Sequence, residues 1–289
     1  MQELLAVDSI EEMPMPTREE WTGELMAGRL ADGGPRYAET PQELGQQTVA
    51  EPWNAATAAL FILIALLWVW RLRGRYRQHA FLTCGLPILL AGGIGGTLYH
   101  ATRASRLYFL LDVIPISLLG LGGAAYLTAQ LWGRRGWWYL PAVLLFYSAV
   151  QFLLFRTLPP TWNIQWRVNL SYAVLAAIVV TPIFLLLLRT AFRHGGWVLC
   201  GLLSFTIGWF FRLLDWQMGL YLPMGSHWLW HIFGAIATWC VIEYVYRLRS
   251  EDMVRSGNRD GSPDAPAHPI SGVRHGTDTG NRVSHLPNA

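Results

Sequence analysis

Residues 80–100, AFLTCGLPILLAGGIGGTLYH, form an apolar run without a charged residue that ends in a histidine. About 20 such residues are what an α-helix needs to cross a bilayer. Several other stretches of the 289-residue chain are comparably apolar. The chain is 53% hydrophobic and only 14% charged, whereas a soluble domain carries about 25% charged residues. The sequence therefore predicts an all-α integral membrane protein.

We predict a bundle of seven transmembrane helices that forms one membrane domain over residues 51–249. The predicted spans cover residues 54–72, 80–101, 107–131, 137–155, 168–188, 195–213 and 227–247. Residues 1–50 are polar and acidic, and they are expected to form a loose N-terminal tail. Residues 250–289 are rich in Gly, Ser, Pro and Asp. Such a segment buries too little apolar surface to fold, so we predict a disordered cytoplasmic tail.

Arginines on alternate loops set the predicted orientation. One side of the membrane carries Arg71, Arg73, Arg75, Arg77, Arg134, Arg135, Arg189, Arg193, Arg247 and Arg249. The other side carries Arg103, Arg106, Arg156 and Arg167, together with the acidic tail. Because cytoplasmic loops are enriched in basic residues, the N-terminus is predicted outside and the C-terminus in the cytoplasm. The chain contains arginine but no lysine, a hint of a GC-rich bacterial genome and thus of a bacterial inner membrane.

Ionisable residues inside membrane helices are costly, and each is a candidate for function. In the predicted topology His100 ends the second span, Asp112 lies near the start of the third, and His227 and His231 begin the seventh. All four therefore lie at one level, near the outer face. A single histidine at a helix end is more typical of the membrane interface. The convergence of three histidines and an aspartate favours a metal site instead.

His227 and His231 are four residues apart, a spacing that places both imidazoles on one helix face. With His100 they make up the three-histidine set of a catalytic zinc ion, which leaves a fourth position for water. Zinc lowers the pKa of such a water to about 7, so that it can act as a nucleophile. Asp112 is then a candidate to accept the proton of the water or to orient a histidine ring.

Small residues precede His100. Gly92 and Gly96 form a GxxxG pattern, and Gly93 with Thr97 extends the small face. The pattern predicts that another helix approaches closely, which would bring His100 towards a second span.

Arg212 and Asp215 end the sixth predicted span three residues apart, so we interpret them as a structural ion pair.

Three segments resemble a known family. They are AEPWNAAT (residues 50–57), GGIGGTLYHATRASRLYFLLDVIPI (92–116) and GSHWLWHIFGA (225–235), and WFFRLLDW (209–216) is a weaker fourth. Together they resemble the alkaline ceramidase branch of the CREST superfamily of seven-span membrane hydrolases. The motifs occur in the order of that family, and the resemblance covers roughly residues 50–247.

The resemblance implies a zinc amidase. His100, His227 and His231 would ligate Zn²⁺, and Asp112 would act as the general base. The substrate would be a membrane lipid related to ceramide, split into a long-chain base and a fatty acid. Neither nucleic acid nor an obligate protein partner is implied. The alternative is a non-catalytic or receptor-like lipid-binding member that retains the zinc site.

The sequence departs from the family pattern in three places. Gly96 stands where the family has a serine at the zinc site, which favours the non-catalytic alternative; Thr97 and Ser226 are the candidate replacements. The spacing from His100 to Asp112 is one residue longer. Glu51 matches a calcium ligand of the animal enzymes, but the tail lacks their acidic stretch, so Ca²⁺ is a minor alternative to a helix cap at Glu51.

Overall fold

The computed structural model describes residues 30–45, 47–157 and 164–260, and these residues form helices and no β-strand. The helices are α1 Pro52–Ala58, α2 Leu60–Arg71, α3 Ala80–Thr102, α4 Arg106–Trp132, α5 Tyr139–Phe152, α6 Ile164–Arg189, α7 Gly195–Leu213, α8 Asp215–Gly219 and α9 His227–Asp260. A 3-10 helix, Gly133–Trp138, precedes α5, and a π-helix, Leu153–Thr157, follows it. The described residues up to Ser250 form one compact unit.

Six stretches of the described chain are long and apolar enough to cross a membrane. They are Pro52–Arg71, Ala80–Thr102, Arg106–Thr157, Trp166–Arg189, Gly195–Leu213 and His227–Met253. The prediction of an all-helical chain with several membrane-spanning helices is thus confirmed. The predicted number of seven spans is not confirmed, because the third and fourth predicted spans fall in one stretch of 52 residues.

That stretch of 52 residues folds back on itself. Gly133, at φ 62°, ends α4 and begins the 3-10 helix. The Tyr147 hydroxyl of α5 then lies 3.3 Å from the Ser117 hydroxyl of α4. Thirty residues of straight α-helix would separate these positions by roughly 45 Å. The contact therefore places α5 alongside α4.

Glycines of α3 allow its close packing against two neighbours. A methyl carbon at Gly92 would lie 3.0 Å from Pro115 of α4, and one at Gly93 would lie 2.8 Å from the main-chain nitrogen of Ile62 in α2. A larger side chain fits at neither position. The prediction that the glycines bring helices towards His100 is confirmed.

Ion pairs and hydrogen bonds join the ends of α2 and α9 that lie away from the histidines. Arg71 pairs with the buried Glu243, at 2.6 Å, and Arg75 donates to the Tyr246 hydroxyl, at 3.0 Å. Trp68 and Tyr244 are fully buried in the apolar core near these contacts. The arginine-rich first loop and the last helix therefore meet at one end of the bundle, and His100 and His231 lie at the other.

The segment before α1 is packed, contrary to the predicted loose tail over residues 1–50. Asp32, Tyr37 and Thr40 are buried. The Ala38 N–H donates to Asp215 at 2.9 Å, and the Ala50 N–H donates to the Ala101 carbonyl at 2.8 Å. The segment is ordered by polar contacts with distant residues, which its composition does not reveal. Residues 1–29 lie outside the described residues.

The last helix also extends further than predicted. α9 continues to Asp260, so the first residues of the predicted disordered tail over residues 250–289 are helical. The rest of that tail, residues 261–289, lies outside the described residues.

Candidate metal centre

Three buried histidines converge at the end of the bundle that the segment before α1 covers. His100, His227 and His231 are 0%, 1% and 5% exposed. Their ring centroids are 5.4 Å apart for His100 and His227 and 4.8 Å apart for each of the other two pairs. One ring nitrogen from each lies within 4.8 Å of the others, close enough for all of them to hold a single metal ion. The sequence placed these residues together correctly.

The last turns of α3 supply His100, and the first turns of α9 supply the other two histidines. Asp215 of α8 fixes the start of α9, because its Oδ1 accepts from the N–H groups of Ser226 and His227, both at 2.8 Å. These are donors that a helix N-terminus leaves unpaired. Burial raises the pKa of Asp215.

The predicted ion pair between Arg212 and Asp215 is wrong. Asp215 caps α9, whereas the Arg212 side chain extends to Asn169 and His227, with Nε 2.9 Å from Asn169 Oδ1 and Nη1 3.3 Å from His227 Nδ1. The spacing of three residues assumed one continuous helix, but α7 ends at Leu213 and α8 begins at Asp215. Asp215 thus holds the main chain of His227, whereas Arg212 contacts its ring.

Two histidines have their Nδ1 hydrogen bonded to an acceptor. His100 Nδ1 lies 2.5 Å from Glu51 Oε2, and His231 Nδ1 lies 3.0 Å from the Asn54 carbonyl. Because both acceptors are oxygens, each Nδ1 carries the hydrogen and Nε2 keeps the lone pair that a metal requires. His100 Nε2 is buried and has no hydrogen-bond partner in the described structure. A ring nitrogen in this state fits a metal ligand.

Tyr37 covers the third histidine. Its ring stacks on His227 with centroids 3.8 Å apart and an interplanar angle of 19°, and it lies 5.4 Å from the His100 ring. Burial raises the pKa of Tyr37 to about 12 although the charge of Arg212 opposes the shift. The phenol is therefore neutral at physiological pH. No pattern in the sequence indicated this residue.

Glu51 is not a side-chain helix cap. It precedes α1, but its carboxylate makes no capping hydrogen bond. Oε1 accepts from Thr40 at 2.5 Å and from Arg103 at 2.7 Å, and Oε2 contacts His100. Burial raises the pKa of Glu51, but the hydrogen bond from His100 and the charge of Arg103 more than reverse the rise. Glu51 thus orients a histidine, and the guanidinium beside it is an unfavourable neighbour for calcium.

Arg103 links the segment before α1 to the histidines. Its guanidinium is buried and donates to Asp32 at 2.7 Å and to the Pro35 carbonyl at 2.9 Å, as well as to Glu51. Its backbone ends α3 at φ 49°, a conformation that usually belongs to glycine. The sequence marked Arg103 only as a loop charge. Its position three residues after His100 was the one feature of the sequence that could have indicated a role near the histidines.

Replacing Arg103 with methionine is expected to destabilise the fold by about 3–5 kcal/mol, because Asp32 and Glu51 would stay buried without their partner. Thermal unfolding in detergent micelles measures the change. Arg106→Met is the matched control, since Arg106 is exposed on the first turn of α4 and such substitutions change stability by about 0.5 kcal/mol or less. Equal stability of the two variants would contradict a structural role for the buried arginine.

Asp112 lies near His100, with which it interacts electrostatically. A methyl carbon at Gly96 would lie only 2.6 Å from Asp112 Oδ1, so the carboxylate occupies the space that a side chain at position 96 would take. Asp112 interacts electrostatically with His100 first and with Arg212 and Arg103 less strongly. The missing side chain of Gly96 thus gives room to the predicted general base.

The two hydroxyls proposed to replace the family serine are bonded to main-chain carbonyls. Thr97 Oγ1 donates to Gly93 at 2.7 Å, within its own helix, and Ser226 Oγ donates to Phe211 at 2.7 Å. In this structure neither hydroxyl has its hydrogen free to meet a substrate oxygen. Ser226 contributes through its main-chain N–H, which Asp215 accepts.

A cavity of about 340 Å³ lies between α4, α5, α6 and the segment before α1. Its wall is mostly apolar and includes Phe109, Val113, Ile114, Leu118 and Phe155. Val113 follows Asp112 in the chain, and Tyr172, which also lines the cavity, has its ring 5.2 Å from the Arg212 guanidinium. None of the three histidines lines the cavity, but its wall lies close to Asp112 and Arg212, which neighbour them.

Comparison of the chain with protein-family models, curated proteins and solved structures gave no match.

Proposed function

We propose that the protein is a zinc-dependent membrane hydrolase of lipid amide bonds, similar to ceramidases. The observation that carries the proposal is the convergence of three buried histidines, with one ring nitrogen of each within 4.8 Å of the others. Asp112 interacts electrostatically with His100, and an apolar cavity lies close to Asp112 and Arg212. Together these features offer a metal, a base and a place for an acyl chain.

The buried charges around the site support a divalent cation. Around the histidines lie four carboxylates, those of Asp32, Glu51, Asp112 and Asp215, and two guanidinium groups, those of Arg103 and Arg212; Asp112 is half-buried and the others are buried. When all are ionised, they leave two uncompensated negative charges. Burying net charge is costly, and Zn²⁺ would neutralise it. Three histidines with a free fourth position suit zinc better than calcium, which prefers oxygen ligands.

Bound zinc would supply Lewis acidity and a water of lowered pKa. The chain supplies the remaining functions. Glu51 and the Asn54 carbonyl hold two histidine rings in the required tautomer. Asp112 takes a proton from the attacking water while the water oxygen bonds to the amide carbon. The C–N bond then breaks, the nitrogen receives the proton, and a fatty acid and a long-chain base leave.

The substrate would reach the site from the membrane. The cavity of about 340 Å³ has the size of a small-ligand site, and its apolar wall suits an acyl chain. We propose seven spans, with α4 and α5 crossing separately, and a bacterial plasma membrane location. The arginine-rich end would face the cytoplasm, which places the histidines near the outer face.

A second candidate is a receptor-like protein that binds zinc and lipid without hydrolysis. It is favoured by Gly96, which provides no hydroxyl, and by Thr97 and Ser226, whose hydroxyls are bonded to main-chain carbonyls. A lost oxyanion donor costs about 10²–10³-fold in rate. The two candidates share the metal site and differ in turnover.

Gly96→Ala separates the two candidates. The added methyl would displace the Asp112 carboxylate, and a shift of about 1 Å at a catalytic group can cost about 10²-fold in rate. We expect hydrolysis to fall by that order while zinc binding is retained. Gly85→Ala is the matched control in the same helix, because its methyl carbon would lie an ordinary 3.4 Å from Leu119. A large gain of hydrolysis in Gly96→Ser would instead show that the natural protein has lost the enzyme.

Purified protein tests the proposed function directly. Zinc content and hydrolysis of a panel of N-acyl sphingoid bases and other lipid amides would be measured on the same preparation. One zinc per chain with release of fatty acid supports the proposal. One zinc per chain without turnover of any lipid amide would leave the receptor-like candidate.

A further inference from the structure

Arg212 is a buried cation that interacts electrostatically with Asp112 but makes no direct salt bridge among the described residues. It is 5% exposed, and no described Asp or Glu forms a salt bridge with it. Its guanidinium contacts Asn169 and His227 and lies 5.2–5.9 Å from the rings of Tyr172, Trp230 and Tyr37. A buried charge that is not directly paired is costly. Inside a membrane protein such a group is a candidate for function.

The contact between Arg212 and His227 is incompatible with metal binding by that histidine. Arginine can only donate, and neutral imidazole has one ring-nitrogen lone pair. Arg212 Nη1 lies 3.3 Å from Nδ1 of His227, so Nδ1 accepts. A metal on Nε2 would leave the hydrogen on Nδ1, and a metal on Nδ1 would use the lone pair itself. In either case Arg212 loses its acceptor when the metal binds.

The freed N–H group would lie between the cavity and the metal centre. Tyr172 lines the cavity and contacts Arg212, and Arg212 in turn contacts His227. The hydroxyls of Thr97 and Ser226 are bonded to main-chain carbonyls, and Gly96 has none. Arg212 is therefore the charged donor best placed to meet a substrate oxygen there.

We propose that Arg212 binds the carbonyl oxygen of the scissile amide and then the carboxylate of the released fatty acid. This rests on the proposed function. As the water oxygen bonds to the carbonyl carbon, an electron pair moves to the carbonyl oxygen, and the guanidinium stabilises the charge. When the C–N bond breaks, the nitrogen takes a proton and the carbonyl reforms. The carboxylate of the released fatty acid can then accept two parallel hydrogen bonds from the guanidinium group.

The test uses Arg212→Gln in the zinc-loaded, full-length protein. We expect kcat to fall about 10²–10³-fold, with a smaller change in KM. Zinc affinity should stay equal or rise, because a cation that competes for His227 is removed. Dodecanoate, the probe for the carboxylate site, should bind at least about 10-fold more weakly by calorimetry. Arg106→Gln, on the exposed first turn of α4, is the control in which all three quantities stay unchanged.

The direct binding measurement keeps the two proposals separable. A fall in zinc affinity parallel to kcat would overturn the proposal, because Arg212 would then only hold His227 in place. Unchanged dodecanoate affinity would overturn it as well. If the natural protein hydrolyses no lipid amide, the proposed function fails, and dodecanoate affinity still decides whether Arg212 binds carboxylate. If the glutamine variant does not fold, Arg212→Lys replaces it in the test. This variant keeps the positive charge but loses the forked guanidinium, so we expect it to retain zinc and to bind dodecanoate with intermediate affinity.

Discussion

Replacing His231 with alanine is expected to abolish stoichiometric zinc binding and lipid amide hydrolysis together. His231 supplies one of three candidate ligands, and the Asn54 carbonyl, 3.0 Å from its Nδ1, fixes its tautomer. The loss in zinc affinity should exceed the ~10–100-fold that removal of a ligand's hydrogen-bond partner causes. Metal analysis and fatty acid release on one preparation measure both effects.

His79→Ala is the matched control for this experiment. His79 is also a buried histidine, 3% exposed, but it stacks on Tyr246 at the other end of the bundle, with centroids 4.6 Å apart. This variant should keep one zinc per chain. Full zinc content in His231→Ala would contradict the assignment of the ligand.

Replacing Asp112 with asparagine is expected to lower kcat by about 10²–10⁴-fold, the range of a general base. Asparagine has nearly the same shape, so it fits the space beside Gly96 that the carboxylate occupies. Zinc content should remain at one per chain. The acidic limb of the pH profile of kcat/KM, which reports ionisation of the base, should disappear.

Thr97→Val is the control for Asp112→Asn, because the Thr97 hydroxyl is bonded to the Gly93 carbonyl rather than directed at the site. Its hydrolysis rate should stay within a few-fold of the natural protein. An Asp112→Asn protein that keeps both its zinc and its rate would exclude Asp112 as the base.

The sequence predicted those parts of the site that depend on local spacing and on chain direction. His227 and His231 share a helix face because they are four residues apart. His100 joins them because alternate spans run in opposite directions. The last turn of α3 and the first turn of α9 therefore lie on the same side of the bundle. The glycines of α3 predicted close packing because only small residues let helix backbones approach.

The parts that sequence reasoning missed are contacts between residues distant in the chain. Asp32 and Arg103 pair across 71 residues, and Tyr37 stacks on His227 from a segment that reads as a loose tail. Arg212 and Asp215 appeared to be a pair, but the end of α7 at Leu213 breaks their helical register. No periodicity reports such contacts, because they depend on how the segment before α1 packs.

Crystallographic data collected across the zinc absorption edge would locate the metal. We expect one anomalous peak bounded by His100, His227 and His231, with nitrogen–zinc distances of about 2.0–2.1 Å. A protein preparation that contains zinc but shows no peak among these three rings would contradict this expectation.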